Sequence, residues 1–384
     1  FGNWMVTADA ITLSDTPYTL AVTDGTTTIT YDNILAGDVY VCSGQSNMEW
    51  QLSKSSNGTE DVANASNNNI RLFSQAKAGS ATEEKDNVNG MWNLCNPQTA
   101  TSFSAVGYLF AKEIQQELNV PIGLIAAYYG GSRGEAWISQ SALENSAIAH
   151  RISAGTAPNK ASMLFNAMVA PIIPYGIKGV LWYQGEANAS LHYEYLELQK
   201  TLLDDWRGRW GYEFPFIYAQ LSSYGDGSNW PYLREAQLQL LGERPNTAMV
   251  VTMDVGNETN IHPTDKATVA HRMALAAKGI IYNQAVNYKF PQPESYNVNG
   301  NAVEITFKDT YDGLVAQGDV TAFEICGEDG VYYPADAKII SSNTISVSSS
   351  SVAVPKGVYY GFKQYPNPVM NLYNSEGLLA TPFR

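Results

Sequence analysis

Cations, histidines, cysteines and long apolar runs are all scarce in this chain of 384 residues, and each scarcity removes a class of function. Lys and Arg total 23 against 37 Asp and Glu, a net charge of -14. That balance argues against nucleic acid or an anionic membrane surface as partner, because phosphate recognition depends on clustered cations. No run of eighteen apolar residues occurs, so no membrane-spanning helix is expected. The three cysteines, Cys42, Cys95 and Cys326, lack metal-ligand spacing, and an odd number cannot all pair within one chain; buried free thiols are the expectation.

What remains is an ordinary globular composition, 45% hydrophobic and 16% charged, with enough residues to bury one large core or to divide into two or three domains. Abundant Asn, Ser, Thr, Tyr and Gly with little Lys lean toward an extracytoplasmic protein, secreted or periplasmic. The opening FGNWMVTADA reads like the middle of a β domain and not like a signal peptide, so a native N-terminus is expected to precede it. Residues 1–36 carry short β pieces such as YTLAVTD and TTTITYD separated by turn signals. From 37 to 285, strand-length apolar runs (VYVCSG, NIRLFSQ, VPIGLIAAYYG, GIKGVLWYQGE, PFIYAQLSS, TAMVVTMD) alternate with stretches of helical periodicity. The helical stretches are SFSAVGYLFAKEIQQELN, KASMLFNAMVAPII, LHYEYLELQKTLLDDWRGRW and LREAQLQLLGE. Such alternation predicts an α/β domain, a mostly parallel sheet covered on both faces. Residues 286–384 return to strands without helices and predict an antiparallel β module, beside which the N-terminal pieces could pack.

In open α/β sheets, ligands gather outside the carboxyl ends of the strands. The first predicted strand runs into Gly44-Gln45-Ser46-Asn47, the third into Tyr128-Tyr129-Gly130-Gly131-Ser132-Arg133, and the fourth into Trp182-Tyr183-Gln184-Gly185-Glu186-Ala187-Asn188. The last runs into Asp254 and then Asn260-Ile261-His262-Pro263. A serine at a strand-to-helix turn acts as a nucleophile when a histidine takes its proton and N–H donors receive the oxyanion. Gly130 or Gly131 can bring a backbone N–H to a substrate carbonyl, and Gln184 or Asn188 can add a side-chain amide. Alone, a serine after a strand is a turn residue and a Gly-Gly is a bend; their coincidence at one sheet edge is the signal. Of four histidines, His150, His192 and His271 fall in helical stretches. His262 stands in a loop before the last helix, where a general base facing Ser46 is expected, with Thr264 as that helix's N-cap.

GQSNM, GGS, WYQGE and IHP, in this order, resemble the SGNH-type carbohydrate esterases, most closely the sialate O-acetylesterase family and its acetylxylan esterase relatives. The resemblance extends from NWMVTADA to the final PFR. It implies a three-layer α/β/α SGNH hydrolase, a flavodoxin-like parallel sheet with an accessory antiparallel β module, that removes acetyl groups from sugar hydroxyls with no metal or other cofactor. By that resemblance Ser46 is the nucleophile and His262 the base. Its oxyanion hole is the Ser46 N–H, a glycine N–H from Gly130-Gly131 and the Gln184 side chain, with Glu186 ordering the hole or a loop.

The family's aspartate shortly before the histidine is absent here, where Thr259 and Asn260 stand. Asn260 or a backbone carbonyl, Glu258, or Asp254 are the alternatives for orienting the imidazole. Substrate contacts are expected from Arg133, Trp137, Tyr183, Glu186 and Asn188, with Trp50 and Tyr129 nearby and Trp182 more suited to the core. Arg133 can clamp a carboxylate, as a sialic acid would offer, or pair structurally with Glu135. Acetylated sialic acid and acetylated xylan both remain open as partners. An inactive sugar-binding relative is the alternative from another class.

Overall fold

In the computed structural model, residues 11–384 are described except 154, 174 and 226–228, so the first ten residues of the N-terminal segment lie outside the described residues. The central sheet has seven strands. In chain order these are β3 (Asp38–Gly44), β4 (Asn67–Gln75), β5 (Gly90–Cys95), β6 (Ile122–Tyr128), β7 (Gly179–Tyr183), β8 (Phe216–Ala219) and β9 (Thr247–Val250), following the hairpin of β1 (Ser14–Thr23) and β2 (Thr28–Ala36). Their spatial order is β5-β4-β6-β3-β7-β8-β9. The five strands β6-β3-β7-β8-β9 are parallel and reproduce the flavodoxin-like order 2-1-3-4-5. β4 extends this set in parallel beyond β6, and β5 closes the edge antiparallel to β4.

Strand order reverses between β3 and β7, and a doubly wound sheet opens its ligand crevice at that point. The strands flanking it read as unbroken apolar runs because both faces are covered: Tyr40, Val41, Cys42, Val180, Leu181 and Trp182 are all buried. The helices Ala105–Leu118, His192–Trp210, Trp230–Glu243 and Lys266–Ile280 supply that cover. All three cysteines are buried free thiols.

Several local expectations need correction. KASMLFNAMVAPII does not form a regular α-helix; it makes a π turn over Phe165–Val169 and a 3-10 turn over Ala170–Ile172. Thr264 does not cap the last helix, since Asp265 accepts from the Thr268 N–H at 3.0 Å and takes that position. The β1–β2 hairpin stands near β4 and β5 instead of the C-terminal strands: Arg71 Nη2 donates to Asn33 Oδ1 at 3.0 Å, and Leu20, Tyr31, Trp92 and Tyr175 line one cavity. C-terminal strands form separate antiparallel sheets, the largest pairing Gln292–Asn299, Ala302–Lys308, Thr344–Ser348 and Asp336–Ile339. Among the described residues no helix is long and apolar enough to cross a membrane.

Candidate active site

Four loops meet at the carboxyl ends of the sheet. β3 ends at Gly44 with φ +130°, where an added Cβ would stand 2.1 Å from the Tyr183 carbonyl oxygen of β7. Only glycine allows so close an approach. The Gln45 N–H then donates to that carbonyl at 3.0 Å, and the short helix Ser46–Glu49 begins. Gln45 Oε1 accepts from Gln184 Nε2 at 3.2 Å and from the Ala187 N–H at 3.1 Å, which ties the end of β3 to the end of β7.

Ser46 is half-buried at the mouth of this crevice, and His262 Nε2 lies 2.8 Å from its Oγ, across 216 positions of sequence. Trp50 stacks on the imidazole with ring centroids 5.1 Å apart. Burial first, and then the nearby Lys266 charge, hold the His262 pKa below the ordinary histidine value. The ring is thus kept neutral, the form that accepts a proton.

Beside Ser46 stands the glycine pair. A Cβ on Gly130 would sit 3.6 Å from Ser46 Cβ and 3.0 Å from the Glu49 carboxylate, whereas one on Gly131 would meet nothing within 4 Å. The Gly130 N–H is already engaged, donating to Glu49 Oε2 at 2.6 Å, and Glu49 is paired with Lys77 at 2.5 Å. The Ser46 and Gly131 N–H groups have no hydrogen-bond acceptor among the described residues.

Gln184 does not point an amide at Ser46. Its side chain is fully buried, and Nε2 faces Gln45 Oε1, the Ser132 carbonyl (3.1 Å) and Asn188 Oδ1 (2.7 Å), so both N–H groups are committed. Asn188 is likewise inward, accepting from the Gly134 N–H at 2.9 Å and donating to Glu135 Oε2 at 2.8 Å. Trp137 and Tyr183 are completely buried and cannot touch a substrate; the Trp137 indole donates to Ser132 Oγ at 2.9 Å and packs against Trp182. Glu186 is buried too, accepting from Asn47 Nδ2 at 2.5 Å, and burial raises its pKa. Of the expected substrate contacts Arg133 stays accessible, its side chain about one-third exposed and 4.0 Å from Glu135, too far for a hydrogen bond.

None of the three candidates for orienting His262 reaches its ring. Asn260 Oδ1 accepts from the His262 backbone N–H at 2.9 Å, shaping the loop. Asp254 is held by Arg272 in a two-pronged pair at 2.7 and 2.6 Å. Glu258 is exposed and bonds through its backbone oxygen to the Gly225 N–H. Sequence reasoning passed over Asn47 and Lys266, both fully buried beneath the serine and joined at 2.6 Å. Their signal was proximity, since each lies within four positions of a singled-out residue.

The family model for carbohydrate esterases described as sialic acid-specific acetylesterases matches residues 36–280. The chain belongs to that family. Human sialate O-acetylesterase is 31% identical over 365 residues, covering 85% of this chain and 69% of the human protein. The mouse sialate O-acetylesterase is 28% identical over 423 residues, covering 92% of this chain and 78% of its own. A crystal structure of a carbohydrate acetylesterase from Xanthomonas citri superposes with a TM-score of 0.90 at 34% identity, covering 96% of this chain and 85% of that one. Family membership makes this esterase a carboxylic ester hydrolase that acts on carbohydrate.

Proposed function

We propose that this esterase removes O-acetyl groups from sialic acid, with Ser46 as nucleophile and His262 as general base. The observation that carries the reading is the 2.8 Å contact between His262 Nε2 and Ser46 Oγ at the switch point of the sheet. Ser46 Oγ attacks the acetyl carbonyl as its proton passes to Nε2. The bond from the carbonyl carbon to the sugar oxygen then breaks, and Nε2 returns the proton to that oxygen. Water, deprotonated by the same nitrogen, attacks the acetyl-enzyme; the bond to Ser46 Oγ breaks, acetate leaves and Nε2 returns the proton to Oγ. The developing oxyanion is received by the unengaged N–H groups of Ser46 and Gly131, in place of Gln184.

Arg133 supports an acidic sugar: its guanidinium is partly exposed, lies on the loop that follows the glycine pair, and is not saturated by Glu135. The relatives named sialate O-acetylesterases support the same substrate. The polar, lysine-poor composition supports a place outside the cytoplasm. The test is acetate release from 9-O-acetylated sialic acid and from acetylated xylan, side by side with Ser46→Ala. Release from the sialic acid, lost in the variant, is expected. Release from xylan alone would replace the substrate, and turnover surviving in Ser46→Ala would overturn the nucleophile.

A further inference from the structure

A second tether runs beside the Ser46–His262 contact, joining the same two loops beneath the surface. Asn47 follows the serine and Ile261 precedes the histidine. Asn47 Nδ2 donates to the Ile261 carbonyl at 3.0 Å and to Glu186 Oε1 at 2.5 Å, while Asn47 Oδ1 accepts from Lys266 Nζ at 2.6 Å. Lys266 is 0% and Asn47 1% exposed. A carboxylate at the amide N–H and an ammonium at the amide oxygen polarise that amide in the same sense, which strengthens its remaining N–H as a donor. The carbonyl that receives it belongs to the peptide unit carrying His262. No carboxylate meets His262 Nδ1 among the described residues, so the usual means of fixing a catalytic imidazole is missing.

We infer that Asn47, polarised between Lys266 and Glu186, is the positioning residue of this site, clamping the histidine loop to the serine turn in place of a triad carboxylate. The inference rests on the serine esterase reading above. The clamp holds geometry through Ile261, and Lys266 adds its charge to burial in keeping the imidazole neutral. The ionisable groups facing it are Lys266 and Asp265 at the start of the last helix, Tyr183 at the end of β7, Glu186 in the loop after it, and His262 itself. On the far side of Ser46, Glu49 is occupied by Lys77. A cation near His262 opposes the imidazolium and keeps the base neutral to lower pH; replacing it by an uncharged side chain lets the imidazole protonate at higher pH.

The experiment is an NMR titration of the four histidine rings in the intact protein, Lys266→Met, Lys266→Arg and Asn47→Ala, with His262 assigned by its loss in His262→Ala. It is paired with kcat and KM for a small aryl acetate across pH, and with thermal unfolding as the check on folding. Lys266→Met is expected to move the His262 midpoint, and the acid limb of kcat/KM with it, to higher pH, while Lys266→Arg keeps both near the wild type. Asn47→Ala is expected to lose about 10²-fold in kcat through misplacement of the base, with KM little changed. Should it not fold, Asn47→Asp, which keeps the shape but removes the donor to Ile261, is expected to show the same loss. An unmoved His262 midpoint in folded Lys266→Met, or wild-type kcat in a folded Asn47 variant, overturns the inference. An intact protein inert toward the aryl acetate overturns the esterase reading instead, and the titration, which needs no turnover, still decides the charge coupling.

Discussion

Gly44 and Lys266 show how far single residues bear the site. Gly44 combines φ +130° with a Cβ position 2.1 Å from a backbone oxygen, so Gly44→Ala must displace either β3 or β7 at the switch point. It is expected to cost at least about 2 kcal/mol in urea unfolding; a variant as stable as the wild type would mean the turn is slack. Lys266 allows a test with a sign. Burial lowers its pKa from 10.5 to about 7, so it is an ammonium over the more acid range in which His262 titrates, while the unfolded chain keeps the ordinary value. Between those values the unfolded state binds more protons, so stability gained through Lys266 rises with pH across that window. Unfolding free energies of wild type and Lys266→Met, measured at pH 7 and pH 9, are expected to shift in favour of the wild type as pH rises. A gap independent of pH would show that the folded lysine stays charged. GQSNM and IHP were legible because their residues follow strand ends. The burial of Trp137, Tyr183 and Gln184 was not, since GEAW and WYQGE read alike whether a side chain faces solvent or the layer beneath.

The last helix, Lys266–Ile280, links these residues to the sheet. Its N-cap Asp265 sets where the helix begins and so where Lys266 enters the core; Arg272 two turns later clamps Asp254 and the Val251 carbonyl at the end of β9. Asp254 thereby fixes the helix against the strand instead of orienting His262. Asp254→Ala is expected to lose about 2 kcal/mol of stability, as a buried guanidinium loses its partner, while the His262 midpoint stays in place. A moved midpoint with unchanged stability would restore Asp254 to the histidine. Elements with strong periodicity were legible: each of the six parallel strands overlaps one of the apolar runs, and Ala105–Leu118, His192–Trp210 and Trp230–Glu243 overlap stretches of helical periodicity, while Lys266–Ile280 was read only as the helix that follows His262. β5 was not, because GMWNLC alternates weakly and is held by pairing with β4. Nor was the π turn at Phe165–Val169, whose four apolar residues satisfy a helical pattern while they and Asn166 are buried in an irregular segment.

At the scale of the whole molecule, Arg234 joins the hydrolase core to the C-terminal strands. It is fully buried on the helix Trp230–Glu243, donates to the carbonyls of Lys363 (2.9 Å) and Gln364 (2.8 Å), and has its pKa lowered to about 9 by burial. Those carbonyls belong to the segment after strand Gly357–Tyr360, and the Tyr224 N–H also donates to Gln364 at 3.0 Å. Phe362 packs edge-on against Tyr232 of the same helix, and Arg384 lies over both rings while pairing with Glu235 at 2.9 Å. A buried cation whose partners among the described residues are two carbonyls of the C-terminal segment, with Nε unpartnered, makes separation costly, since parting them would strand the charge without partners. Calorimetry is therefore expected to show one unfolding transition for the core and the C-terminal strands together. Arg234→Met should shift or split that transition while leaving the Ser46–His262 pair, whose loops follow β3 and β9, able to turn over aryl acetate at low temperature. Two well-separated transitions in the wild type would instead show that core and module fold independently, with Arg234 burying its charge only after each has formed.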